Sequence, residues 1–176
     1  ADAPWPRIAG LQSAIVAGDS DEDIAVDSQG RVNVHFHWSR ASRSHGRVSC
    51  PVRVATSWAG KGWGAQGLPR VGQEVLVAFL EGDPDRPLII GSVFNADHVP
   101  PYALPEQRTR SGIRSRSHPE GSADDYNEIC FEDRKGAEEL RLHAQRDLHV
   151  EAEHDRTLKV GHDQQASIGN DQTLTV

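Results

Sequence analysis

The C-terminal part of this chain repeats every eight residues. Val150-x-Ala152 is followed by Leu158-x-Val160, Ala166-x-Ile168 and Leu174-x-Val176. His154, His162 and Asn170 hold one phase of the repeat, and Asp155, Asp163 and Asp171 hold the next. A short fixed period of this kind signals stacked strands. Each octad is read as one short strand and one turn, because residues two apart share a face. Gly161 and Gly169 follow the second apolar residue and are read as the repeat turns, where glycine relieves the turn by admitting a positive φ.

Two buried side chains contribute roughly 1.5–3 kcal/mol each. Fixing eight backbones costs roughly 1–2 kcal/mol apiece. One such ribbon therefore does not stand alone. It must wind on itself or on identical chains, and the octads are too few for a single-chain solenoid. Threefold winding brings three apolar stripes onto one axis and pairs the strand edges between copies. The expected trimer interface is Val150, Ala152, Leu158, Val160, Ala166, Ile168, Leu174 and Val176.

The first half reads as five short strands: Leu11–Val16, Arg31–Trp38, Val48–Val54, Gly72–Leu80 and Leu88–Phe94. In the second, Val32, Val34, Phe36 and Trp38 alternate with polar residues, the mark of a half-buried strand. Five strands in so short a span, without a helix, predict a small OB-type barrel, which hides its sheet edges by closure. The expected organisation is a barrel over 1–95, an extended linker over 96–125 with Tyr102 and Leu104 as anchors, and the start of a triple-stranded β-helix over 126–176. In the last segment Ile129, Phe131, Leu140 and Leu142 alternate again, with a hairpin turn at Asp133–Ala137 between them. The fold class expected is all-β, a five-stranded OB-like barrel followed by an intertwined homotrimeric β-helix.

The net charge is -7, and residues 126–176 carry 11 acids against 6 bases. An acidic chain repels phosphates, which disfavours nucleic acid as a partner. Cys50 and Cys130 form no metal or redox pattern and are read as free, buried thiols. Ala1–Gly10 lacks the pattern of a signal peptide. No apolar stretch is long enough to cross a bilayer. A chain like this needs a dedicated machine if it leaves a cell.

No residue is assigned to catalysis, to a cofactor or to a metal. GxSxG, HExxH and P-loop patterns are absent. Asp83/Asp85 and Glu138/Glu139 read as solvated turn and strand-end carboxylates. His35 and His37 read as outward histidines on a solvated face, and His154 and His162 as surface polarity on a shaft. Gly161-His162-Asp163 and Gly169-Asn170-Asp171 have the wrong period for calcium-binding β-rolls, which use nine residues with paired glycines. Trp58 and Trp63 flank a glycine-rich loop; they are read as its buried anchors, with stacking on a sugar or base as the alternative.

Several longer motifs carry a resemblance. They are Gly30–Trp38, Trp58–Gly64, Pro69–Val77, Phe79–Pro87, Asn95–Tyr102, Tyr126–Glu128, Phe131–Gly136 and His143–Leu148. Across nearly the whole chain the sequence resembles the VgrG family, the valine-glycine repeat spike proteins of bacterial type VI secretion. The resemblance implies an OB-like domain leading into a triple-stranded β-helix, similar to the central spike of contractile phage tails. It implies a structural homotrimer at the tip of an injected tube, puncturing target membranes, with only transient membrane contact. Implied partners are a spike-tip protein of the PAAR type, the tube protein through an upstream hub domain, and an effector cargo or its adaptor. The resemblance also implies assembly in the bacterial cytoplasm and injection by the type VI machine. Two alternatives stand beside the structural spike. One is an OB-fold ligand-binding module. The other is the non-catalytic part of an effector-bearing spike whose enzyme domain lies beyond residue 176.

Overall fold

The computed structural model describes residues 4–19, 23–40 and 49–175. Val48, the first residue of the expected third strand, and Val176 of the expected interface lie outside the described residues. The described residues form eight strands and a single 3₁₀ turn, Leu80–Gly82. The strands are β1 Gln12–Ala17, β2 Asn33–Phe36, β3 Arg53–Val54, β4 Glu74–Phe79, β5 Pro87–Ser92, β6 Arg110–Arg114, β7 Glu128–Glu132 and β8 Glu139–His143.

The first five make one curled sheet in the order β2-β1-β4-β5-β3. Its outer strands are tied by Val32 and Val52, whose backbones exchange hydrogen bonds of 3.0 and 2.8 Å. β3 runs parallel to β5, and the β1–β2, β1–β4 and β4–β5 pairs are antiparallel. This closed path of pairing is an OB-like barrel. Alternation places Val34, Val75, Val77 and Ile89 inside, together with Val16, Val32 and Val52, all almost fully buried. Between Val77↔Ile89 and Leu76↔Gly91 the register slips by one residue, leaving Ile90 as a bulge. A bulge bends its strand, which a small barrel requires. The turn before β2 closes through the Gly30 amide to the Asp27 carbonyl at 3.0 Å. Gly30 sits there at φ +71°, a left-handed conformation that a side chain resists.

Three barrel-region expectations are revised. The strand expected over Arg31–Trp38 ends at Phe36, where the Ser39 amide turns back to the Phe36 carbonyl. Trp38 is thereby exposed and stacks on Phe36 with ring centroids 4.9 Å apart. His35 is buried while His37 is exposed, so the two do not share a solvated face. Cys50 is exposed and Cys130 buried; both are free thiols.

The second sheet has the order β6-β7-β8, antiparallel throughout. β6 lies inside the stretch expected as linker. Only Ile113 is apolar in it, so its sequence hides its role as a partner for β7. The β7–β8 turn closes through the Ala137 amide to the Arg134 carbonyl at 2.9 Å. The barrel and this second sheet are joined by polar contacts. Arg70 donates to Asp23 at 2.6 Å and to the Arg116 carbonyl at 2.7 Å, and His118 Nδ1 lies 3.2 Å from the same Asp23 oxygen.

Candidate assembly interface

β6, β7 and β8 present two very different faces. Cross-strand register aligns Ile113 with Ile129 and Leu142, and Ser111 with Phe131 and Leu140. The five apolar side chains of this set share one face and remain between 45% and 77% exposed. Directly behind them the sheet is filled by a polar clamp. Glu128, only 4% exposed, accepts from Arg114 Nε at 2.8 Å and from the Tyr102 hydroxyl at 3.1 Å. Arg114 Nη2 lies 2.7 Å from the same carboxylate oxygen. The Arg114 guanidinium also sits over the Tyr126 ring, 4.2 Å from its centroid.

A buried carboxylate needs such partners, since its desolvation is otherwise uncompensated. Burial alone would lower the pKa of Arg114; hydrogen bonding and charge attraction from Glu128 outweigh it and hold it above the ordinary value. Burial, then the hydrogen bonds to Cys130 and Glu128, push the Tyr102 hydroxyl well above its ordinary value. Gly112 makes room for this arrangement. A Cβ there would collide with the Ile129 carbonyl oxygen and the Tyr102 hydroxyl. Tyr102 thus anchors the segment entering the sheet, while Leu104, the other expected anchor, is exposed.

Beyond β8 the chain continues as an arm. From Ala144 to Thr175 no residue belongs to a strand, and bends fall at 145–146, 153–154, 161–162 and 169–170. The bends repeat with the octad period. The Gln145 amide donates to Asn127 Oδ1 at 2.9 Å, and from Arg146 onward no backbone hydrogen bond joins the arm to any other described residue. Val150, Leu158, Val160, Ile168 and Leu174 are 44% to 84% exposed, and Ala152 and Ala166 are exposed with them. Gly161 and Gly169 lie in the bends, but neither has the positive φ expected of a repeat turn, and the space around both is open. From Arg146 onward one chain therefore leaves both its apolar stripe and its backbone polar groups without protein partners among the described residues. Buried backbone groups must be paired. A bare apolar face of this extent marks an interaction surface.

Trp58 and Trp63 meet edge to face with centroids 5.2 Å apart, and the Trp63 ring lies against Gly60. They brace their loop, yet remain 63% and 58% exposed rather than buried. With Val26–Gly30 and Leu68 they line an open depression of about 760 Å³. Among the described residues of one chain, no three His, Cys, Asp or Glu side chains gather as metal ligands.

Two family models match this architecture. Residues 13–94 match the type VI secretion system/phage-baseplate injector OB domain, and residues 111–176 match the bacteriophage T4 gp5 C-terminal trimerisation domain. The second match covers the bare sheet face and the arm together. Similar proteins point the same way. The type VI secretion system spike protein VgrG1a of Pseudomonas aeruginosa is 52% identical over 144 residues, which is 82% of this chain and 22% of that protein. The spike protein VgrG3 of Vibrio cholerae is 46% identical over 142 residues, 81% of this chain and 14% of that protein.

The chain is a homologue of the VgrG spike proteins.

It spans about a fifth or less of the VgrG relatives it matches. A further VgrG relative, the actin cross-linking toxin VgrG1 of Vibrio cholerae, is 44% identical over 144 residues, 82% of this chain and 13% of the toxin. Sequence periodicity found the stripe, and alternation found Ile129, Phe131, Leu140 and Leu142. The Glu128–Arg114 pair was missed, because nothing in the local pattern separates a buried glutamate from an exposed one.

Proposed function

We propose that this chain is the barrel-to-shaft section of a homotrimeric VgrG spike in a type VI contractile injection machine. The observation that carries the reading is the arm: an apolar stripe of eight-residue period with no backbone partner among the described residues of its own chain, continuous with a bare sheet face. Three copies wound together satisfy both needs at once. Val150, Ala152, Leu158, Val160, Ala166, Ile168, Leu174 and Val176 then form the axial core. The resulting rod distributes its backbone bonds along its length, and extended pairing that must be undone cooperatively gives slow unfolding.

In this reading the spike punctures target membranes with transient contact and carries effectors. A PAAR-type tip protein caps it, the tube protein meets it through a hub domain, and cargo or an adaptor attaches to it. It assembles in the bacterial cytoplasm and leaves by injection. The section is a scaffold rather than an enzyme. The similarity to an actin cross-linking toxin supports a second reading, in which such a section belongs to an effector-bearing spike with its catalytic domain elsewhere in the chain.

The test is the double substitution Val160→Asp with Ile168→Asp. Each carboxylate would be buried in the axial core at a cost of several kcal/mol. Trimers should disappear in light scattering while the barrel keeps its circular dichroism and its cooperative melt. An unchanged trimer mass in the double variant would sink the reading.

A further inference from the structure

The octad bends carry a second regularity besides the apolar stripe. Each places a hydrogen-bond donor immediately before an aspartate: Arg146-Asp147, His154-Asp155, His162-Asp163 and Asn170-Asp171. In all four the two side chains meet. Arg146 Nε lies 3.3 Å from Asp147 Oδ2, His154 Nδ1 lies 3.0 Å from Asp155 Oδ2, and His162 Nδ1 lies 2.8 Å from Asp163 Oδ2. Asn170 donates to Asp171 at 2.9 Å. An ionised carboxylate only accepts hydrogen bonds, so the ring nitrogen facing it carries the hydrogen. In a neutral His162, whose Nδ1 is hydrogen-bonded to Asp163, Nε2 is then the nitrogen with a lone pair, and the 3.0 Å contact to Asp155 favours the same arrangement in His154. The two side chains are 91% and 93% exposed, so that lone pair is accessible. A carboxylate on the other ring nitrogen is how proteins fix the tautomer and raise the basicity of a metal-binding imidazole.

A single chain does not bring the two imidazoles together as a site. Symmetry does, and this step rests on the trimer reading above. Let three copies wind about one axis, each octad covering one of three faces. Equivalent octads of the three copies sit at one height on different faces. The next octad of any copy then lies on the face holding the preceding octad of its neighbour, one strand spacing higher, about 4.8 Å. Equivalent bends stack along each edge of the rod. His162 of one copy therefore lies one spacing above His154 of the next. Arg146 below and Asn170 above end the run, so each edge has a single imidazole-on-imidazole step.

We propose that each edge of the trimeric shaft carries a two-imidazole site for a divalent cation of the zinc, nickel or copper class. His162 of one copy and His154 of its neighbour are the ligands, and Asp163 and Asp155 orient them. Imidazole suits these borderline metals. Zinc binds such nitrogens at about 2.0–2.1 Å, within reach of two rings one strand spacing apart. The remaining coordination positions face solvent and take water. Three sites per trimer follow from the symmetry.

The experiment titrates Zn²⁺ into the untagged full chain at neutral pH by calorimetry, with light scattering on the same sample. The expected result is a trimer that takes up one Zn²⁺ per chain. His154→Ala and His162→Ala should each abolish uptake, because each removes half of every site. Asp155→Asn and Asp163→Asn should each weaken it about tenfold or more while leaving the stoichiometry. Asn170→His, which lengthens the imidazole run, should tighten it. A verified trimer that binds no Zn²⁺, or binds it equally well in both His→Ala variants, overturns the site and leaves the trimer standing. A monomeric sample overturns the trimer reading, and the shared site with it.

Discussion

Arg114→Ala tests the clamp behind the bare sheet face. The substitution removes the two contacts of 2.8 and 2.7 Å from the guanidinium to Glu128, leaving only the Tyr102 hydroxyl at 3.1 Å. The Glu128 side chain is 1% exposed, so water does not replace what is lost. Removing one partner of a buried pair costs about 3–5 kcal/mol, since the other charge stays buried. The stacking of Arg114 on Tyr126 disappears as well, worth about 0.5–1 kcal/mol where solvent reaches the pair. The double variant Arg114→Met with Glu128→Gln removes both charges and should be milder than Arg114→Ala alone. The assay is urea unfolding at one fixed protomer concentration, because oligomer stability depends on concentration. The cycle of the parent chain, Arg114→Met, Glu128→Gln and their double variant isolates the pairwise contribution. A cost below about 1 kcal/mol for Arg114→Ala is what an exposed pair shows and would refute the clamp. So would a double variant weaker than the single.

Three further outcomes are expected. Gly112→Ala forces a methyl group into the Ile129 carbonyl and the Tyr102 hydroxyl, and should destabilise the second sheet by about 1–3 kcal/mol in the same urea assay; a neutral result would show that the Tyr102 seat is loose. Acid should destabilise the fold. The Arg31 amide on Asp27, the Asn95 side chain on Glu74 and Ser122 on Asp125 each hold a carboxyl below its ordinary value. Their contribution is complete above the unfolded carboxylate range of about 4 and disappears as pH falls through the lower folded values. Thermal melts should therefore drop below about pH 4, and a melting temperature that rises on acidification there would contradict the assignment. Purified chain should hydrolyse neither peptidoglycan nor lipid, and turnover that tracks the protein through purification would contradict the scaffold reading.

Much of this architecture is legible in the sequence because it rests on periodicity. Val75, Val77 and Phe79 alternate with polar or outward residues and are buried together. The octads announce the bends of the arm at their observed spacing. What stayed hidden depends on partners far along the chain. Glu128 is buried because Arg114, 14 residues earlier, and Tyr102, 26 residues earlier, converge on it. β6 is a strand because β7 offers it an edge, although its own residues carry almost no apolar signal. Gly112 looks like any turn glycine until Tyr102 is placed over it. Trp58 and Trp63 suggested burial by composition, yet they are held at the surface by each other and by Gly60.

The most direct measurement is the mass of the untagged chain by multi-angle light scattering across a dilution series. Assembly through the arm gives three times the 19.3 kDa chain mass, falling to one only at the lowest concentrations. A compact 19.3 kDa species at every concentration, with the arm protected from hydrogen exchange, would mean that one chain buries its own stripe.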